Sequence, residues 1–197
     1  MQTLLFDLGG VVVDYRGPER LAVLSEGAMS LAEARVALST SANLHAFERG
    51  EIAPEDFAER AVEEWRLAVT PRAFIDDFES WPERLYPGVA EMIAAQKGRF
   101  QLACLSNINI PHWRRAKALG LAEMFGRAFL SHEMGARKPE REIFEKTVRA
   151  LGSSPADVIF FDDVEANVQA AREFGLTAHE VHSDQGLAAA MREARLV

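Results

Sequence analysis

The chain has 197 residues, 48% of them hydrophobic, which suits one sizeable domain or a domain with an insert and argues against disorder. Its 22 basic and 30 acidic residues leave a net charge of -8, and with no long basic run this argues against nucleic-acid binding through phosphates. The single cysteine, Cys104, excludes a disulfide framework within the chain and reads as a small buried hydrophobe, while no apolar run reaches transmembrane length and no basic region precedes the first strand, so neither membrane nor signal peptide is expected and a cytoplasmic location is the default.

Thr3-Leu4-Leu5-Phe6 is a short apolar run that stops at Asp7, and Gly9-Gly10, Val11-Val12-Val13 and Asp14 follow. The pattern predicts a buried parallel strand ending in a tight glycine turn. A carboxylate at the carboxyl end of a central strand sits where open α/β sheets bind ligands; on this stretch alone, Asp7 as a simple turn cap stays open. From about Pro18 to Trp81 the chain reads as helical, with no convincing strand. Leu21, Leu24 and Met29 mark one segment, and Ser30 with Glu33 forms a capping box before Leu31, Ala34 and Leu38. Pro54 opens a helix through Phe57, Ala61 and Trp65, and Thr70-Pro71 opens another through Phe74 and Phe78. Pro82 and Pro87-Gly88 break the pattern.

The second half alternates. Helix is expected from Val89 to Ala95, strand from Phe100 to Leu105 ending at Ser106-Asn107, and helical material from Pro111 to about Phe125. Ala128-Phe129-Leu130 is a short strand, Arg137-Lys138-Pro139 opens a helix, and Val158 to Phe161 is a buried strand ending at Asp162-Asp163. A helix from Glu165 to Phe174, a strand from Thr177 to Val181 and a helix from Gln185 to Arg195 close the chain. The alternation predicts a doubly wound parallel α/β sheet, built from residues 1–15 and 84–197, with residues 16–83 as a small helical insert.

Polar residues directly follow three apolar strands: Asp7, Ser106-Asn107 and Asp162-Asp163. In a doubly wound sheet these ends share one edge, so the groups converge. With Lys138 they offer three carboxylates, an ammonium, a hydroxyl and an amide. Three clustered carboxylates repel unless a cation sits among them, and an all-oxygen donor set favours magnesium. Taken singly, Ser106 and Asn107 also read as helix caps and Lys138 as a solvated surface residue.

These motifs carry a resemblance. Phe6-Asp7-Leu8-Gly9-Gly10-Val11-Val12-Val13-Asp14, Leu105-Ser106-Asn107, Arg137-Lys138-Pro139 with Ile143-Phe144, and Phe160-Phe161-Asp162-Asp163 with Asn167 resemble, in that order, the motifs of the haloacid dehalogenase superfamily. The likeness is to its phosphatase-like members with a helical cap after the first strand. Gly9, the Phe47-Glu48-Arg49-Gly50-Glu51-Ile52 segment and the paired aspartates are most similar to the bacterial glucose-1-phosphate phosphatases. The resemblance implies that Asp7 is a nucleophile forming an aspartyl-phosphate. It implies magnesium held by Asp7, the Gly9 carbonyl and Asp163, with Asp162 close by or one contact further out. Ser106 and the Asn107 amide would bind phosphate oxygens, and Lys138 would neutralise Asp7 and the phosphoryl group. A small phosphorylated metabolite is the implied partner, and the chain would be a monomer or homodimer.

One departure matters. The family's phosphatases carry a second aspartate two residues after the nucleophile, where this chain has Gly9. Help from a general acid, typically worth about 10²–10⁴-fold, then comes from elsewhere or is absent. Glu48, His45, His112 and Asp14 are the candidates, with Asp14 read rather as a tie for its loop. The departure favours good leaving groups: glycosyl 1-phosphates, acyl phosphates or aryl phosphates over alkyl phosphates. It also leaves room for a catalytically dead binding module. A dehalogenase, the remaining alternative, is opposed by Asp162-Asp163. The insert is expected to act as a lid, hinged near Asp14-Tyr15 and Pro82–Pro87. His45, Phe47, Trp81, His112 and Trp113 either face its cavity or, for the aromatic ones, form its core.

Overall fold

A computed structural model describes residues 1–182 and 186–196. Strand β1 (Thr3–Phe6) leads through the glycine turn to a short β2 (Val13–Tyr15). Five helices follow: α1 (Gly17–Leu24), α2 (Leu31–Thr40), α3 (Ala42–Glu48), α4 (Pro54–Glu64) and α5 (Pro71–Phe78). Then come β3 (Pro82–Leu85), α6 (Val89–Ala94), β4 (Gln101–Ser106), α7 (Ile110–Ala118), α8 (Leu121–Met124), β5 (Arg127–Leu130) and α9 (Ser131–Met134). Helix α10 (Arg141–Leu151), β6 (Val158–Asp162), α11 (Glu165–Phe174), β7 (Thr177–Glu180) and α12 (Gly186–Glu193) complete the described chain. Gln185, the expected start of the last helix, lies outside the described residues. No described helix is long and apolar enough to cross a membrane.

Strands β5-β4-β1-β6-β7 form one parallel sheet in that order, the doubly wound α/β architecture expected from the alternation. Strand side chains alternate between faces. Leu4 and Phe6 therefore join one core with Leu102, Cys104 and Phe161, and Leu5 joins the other with Ala103, Leu105 and Phe160. The register sets Phe6 opposite Cys104 on one side and Phe161 on the other. Asp7, Ser106 and Asp162 consequently end three neighbouring strands at one edge. Burial pushes the Cys104 thiol up to about 12, as suits an inert core residue.

The helical segment has its own core, in which Phe47, Phe57, Phe74, Phe78 and Trp81 pack with Leu21, Ala34 and Trp65. Phe47 stacks on Phe57 at 4.4 Å between ring centroids. The local start signals act as expected: Ser30 accepts from the Glu33 amide while the Glu33 carboxylate takes the Ser30 amide, and Thr70 caps α5. Leu31 differs from expectation, standing 40% exposed on a helix where Val36, at 60%, is more open still, while Ala34 and Leu38 carry the buried face.

The antiparallel pair β2–β3 was not expected. Val13 lies opposite Leu85 and Asp14 opposite Arg84, with a register shift at Asp14/Tyr15. Each strand is too short and polar to show a period, and their pairing is held by side chains remote in sequence, as in the Arg84–Asp14 ion pair at 2.9 Å. The two crossings between the sheet and the helical segment are thus paired with each other. Lys138 also differs from expectation: it lies before α10, whose first residue is Arg141.

Candidate active site

The centre of the strand-end edge is Lys138, only 1% exposed. Its Nζ lies 2.8 Å from Asp7 Oδ1 and 2.5 Å from Asp162 Oδ2, and it donates to the Leu105 carbonyl at 3.1 Å. An ammonium has three protons, and all three are used here. Burial pulls the lysine pKa down, but Asp162 and Asp7 outweigh it and hold the group above its ordinary value. Asn107 sets the backbone beneath it: its Oδ1 accepts from the Lys138 amide at 2.8 Å, and its Nδ2 donates to the Lys138 carbonyl at 2.9 Å. The Asn107 side chain is therefore spent on positioning the lysine loop.

The paired aspartates, indistinguishable in sequence, have different surroundings. Asp162 is fully buried. Its Oδ1 accepts from the Val164 amide at 2.9 Å and from Asn167 at 3.0 Å, and its Oδ2 takes Lys138 and a second contact from Asn167 at 3.2 Å. Asp163 is exposed as a residue, and its carboxylate has no such partners among the described residues. Asp7, Asp162 and Asp163 each present an oxygen within 4.8 Å of the others. Burial, reinforced by the Asp162 charge and opposed by Lys138, pushes the Asp7 carboxyl up to about 6. Although Asp163 is exposed as a residue, its carboxylate is desolvated where it meets the cluster, and this, with the charges of Asp7 and Asp162, pushes it up to about 7. One internal cation is thus too few for three acids, and the oxygen set suits a hard divalent cation. Asp162, with both oxygens engaged, has the least left to offer one.

The two loop glycines also differ. Gly10 has φ +75°, and a Cβ there would fall 2.1 Å from Asp163 Oδ2, so the turn is closed directly beneath that carboxylate. At Gly9 a Cβ would meet nothing nearer than Tyr15 Cβ at 3.6 Å, and its φ is not left-handed. The backbone requires glycine at position 10 but not at position 9.

The candidate replacement acids are placed as follows. His112 is a core residue that donates through Nε2 to the Phe78 carbonyl at 2.8 Å and accepts at Nδ1 from Asn109 at 3.2 Å, and burial pulls its pKa down to about 3. It ties α7 to the end of α5 and has no free nitrogen. Its folded pKa lies below the ordinary value near 6.5, so its contribution to stability is complete above pH 6.5 and is lost as pH falls toward 3. The loss should reach about 2 kcal/mol by pH 5. In His112→Gln that component is absent, so the stability gap between variant and wild type should narrow by about this amount from pH 7 to 5. Chemical denaturation at the two values measures it, and a constant gap refutes a neutral His112.

Asp14 pairs with Arg84, and Arg16 lies 3.9 Å away, consistent with a loop tie. His45 has a buried Nε2 without a partner among the described residues, and burial, with Arg137 nearby, lowers its pKa. Phe47 and Trp81 are core residues of the helical segment, and Trp113 packs on the sheet core. Glu48 bonds Arg137 Nε at 3.0 Å. Ser106 is 3% exposed at the end of β4.

A second bridge was not anticipated. Arg49 Nη2 lies 2.5 Å from Glu140 Oε1, and Glu140 Oε2 accepts from the Arg137 amide at 3.1 Å. Gly50, at φ +73°, leaves no room for a Cβ against the His132 carbonyl, 2.3 Å from where it would stand. The end of α3 is thereby docked on the loop that carries Lys138. The only sequence signal was the density of opposite charges in Glu48-Arg49 and Arg137-Lys138-Pro139-Glu140, which does not reveal their pairing.

The chain is similar to several known proteins. A sesquiterpene phosphatase of Aspergillus oryzae is 25% identical over 197 residues, covering 98% of this chain and 95% of that protein. A D-ribitol-5-phosphate phosphatase of Bacteroides thetaiotaomicron is 23% identical over 189 residues, covering 89% of each. A crystal structure of a HAD family enzyme from Bacteroides thetaiotaomicron, in complex with magnesium and inorganic phosphate, shares the fold at a TM-score of 0.79 and 23% identity, covering 96% of this chain and 98% of that one. The haloacid dehalogenase-like hydrolase model matches residues 1–175, the span from β1 and Asp7 to the end of α11, and the chain belongs to that family.

Proposed function

We propose that the chain is a magnesium-dependent phosphatase of a small phosphorylated metabolite, with Asp7 as nucleophile. The observation that carries this reading is a buried lysine bridging Asp7 and Asp162, with Asp163 within reach of both acids. Asp7, the Gly9 carbonyl and Asp163 would hold the magnesium, which when bound supplies positive charge to the acids and to phosphoryl oxygens. Asp162 serves chiefly as the acceptor that aims Lys138. Ser106 and the Asn107 amide bind phosphate oxygens, while Lys138 offsets the charge of Asp7 and of the transferring group.

In the reaction an Asp7 oxygen attacks phosphorus and the bond from phosphorus to the leaving oxygen breaks. The leaving oxygen takes its proton from solvent, since position 9 has no side chain. Water then attacks the phosphorus of the aspartyl-phosphate, releasing inorganic phosphate and restoring Asp7. Without a fixed acid, leaving groups of low basicity react best, which favours glycosyl 1-phosphates, acyl phosphates and aryl phosphates. Residues 16–83 act as a cap over the strand ends, excluding water and choosing the substrate.

The test is phosphate release from glucose 1-phosphate and para-nitrophenyl phosphate, with magnesium and with chelator. Release that needs magnesium, and exceeds that from glucose 6-phosphate and glycerol phosphate, is expected. Faster turnover of the two alkyl esters removes the leaving-group reading. No magnesium-dependent release from any of them, in a folded chain, favours a binding module instead.

Gly10→Ala probes the metal loop. Its Cβ would collide with the Asp163 carboxylate. The left-handed conformation costs a non-glycine residue about 1–2 kcal/mol. Magnesium affinity should fall about 10–100-fold, as when other groups that orient metal ligands are lost. Calorimetric titration with magnesium measures this directly, and unchanged affinity removes Asp163 from the proposed ligand set.

A further inference from the structure

We infer that Glu48 is a specificity-determining residue whose carboxylate accepts a hydrogen bond from a hydroxyl of the leaving group, so that the site selects polyhydroxylated phosphate esters. This rests on the phosphatase reading above and deepens it. Glu48 ends α3, and its side chain is only 13% exposed. Its Oε2 accepts from Arg137 Nε at 3.0 Å. Its Oε1 has no donor among the described residues, yet it is not one of the buried unpartnered atoms, so it opens to solvent. Its partner Arg137 is the chain neighbour of Lys138, whose ammonium holds Asp7, and this bond ties the carboxylate to the loop that enters the reaction centre.

Arg137 offsets the charge of the carboxylate through Oε2 alone, and the group still lacks a donor at Oε1. It is compatible with a substrate only if the rest of the molecule brings a donor to the free oxygen. A sugar or polyol hydroxyl does this, whereas an alkyl or aryl group strips water from Oε1 and gives nothing back. The carboxylate is also held still. Arg137 fixes one oxygen, and two residues on, Gly50 abuts the His132 carbonyl. A pre-aimed acceptor of this kind reads a hydroxyl at low entropic cost.

The experiment measures kcat/KM for glucose 1-phosphate, ribitol 5-phosphate and para-nitrophenyl phosphate, with magnesium, in wild type, Glu48→Ala, Glu48→Gln and Arg49→Ala. In Glu48→Ala the ratio of the better hydroxylated ester to the nitrophenyl ester should fall about 10–100-fold, mainly through KM, as expected for a lost hydrogen bond to a charged group. Glu48→Gln should lie between it and wild type, and Arg49→Ala, which breaks only the adjoining bridge, should leave the ratio where it was. Because the ratio is taken on one preparation, it does not depend on the folded fraction. A ratio that stays constant in Glu48→Ala, or shifts equally in Arg49→Ala, assigns these residues to docking and overturns the inference. A wild-type chain active on the nitrophenyl ester but on neither hydroxylated ester overturns it while sparing the phosphatase reading. Release from none of the three refutes both.

Discussion

Asp7→Asn should lower magnesium-dependent phosphate release by on the order of 10⁴–10⁶-fold, the scale seen when an attacking nucleophile is removed from a site whose groups act as a unit. The proposed mechanism leaves no other route. Lys138 and Asp162 are occupied with each other, and the described acids nearest the edge are either ion-paired, as Glu48 and Asp14 are, or belong to the proposed metal set, as Asp163 does. The amide of asparagine is nearly isosteric with the carboxylate and can still lie beside Lys138, so the loss should appear in kcat with the fold intact. Steady-state assays beside circular dichroism separate the two. A variant within tenfold of wild type would mean that phosphorus is attacked by something other than Asp7.

Lys138→Met should have the largest effect on stability. Methionine keeps most of the volume but leaves Asp7 and the fully buried Asp162 without their cation. Removing one partner of a buried pair costs about 3–5 kcal/mol, which for a chain of this size lowers Tm by roughly 6–20 °C. The sign with pH follows from Asp7. Its carboxyl is already raised to about 6 by burial, above the unfolded value of 3.8, and loss of the lysine raises it further. A group raised in the folded state contributes stability that is present at low pH and lost as pH rises through its folded pKa. The deficit of the variant should therefore shrink as pH falls from 7.5 to 5.5. Thermal unfolding without added metal at both values tests this. A deficit under about 1 kcal/mol, or one that grows on acidification, would mean that the lysine is not what holds the Asp7 carboxyl down.

Much of this protein was written locally. The apolar run before Asp7, the alternation of strands and helices, the Ser30–Glu33 box and the prolines that open α4 and α5 all depend on neighbours within a few residues, and local chemistry sufficed to read them. The convergence of Asp7, Ser106 and Asp162 was equally legible, because a parallel sheet places every carboxyl-terminal strand end on one edge. What the tertiary structure decided is how those groups divide the work. Asp162 and Asp163 are chemically identical in sequence, but the strand buries the first against Lys138 and Asn167 and turns the second out beside Gly10. Gly9 and Gly10 look alike in sequence, yet only one has a backbone that needs glycine. His112 read as a possible acid until its nitrogens were found bonded to Asn109 and Phe78. The β2–β3 pair and the Glu48–Arg137 bond join segments tens of residues apart, 89 in the latter case. No periodicity or cap encodes such pairings; they follow from which surfaces meet once the sheet and the helical segment are packed, and burial then decides which charges are partnered and which stay free to meet a ligand.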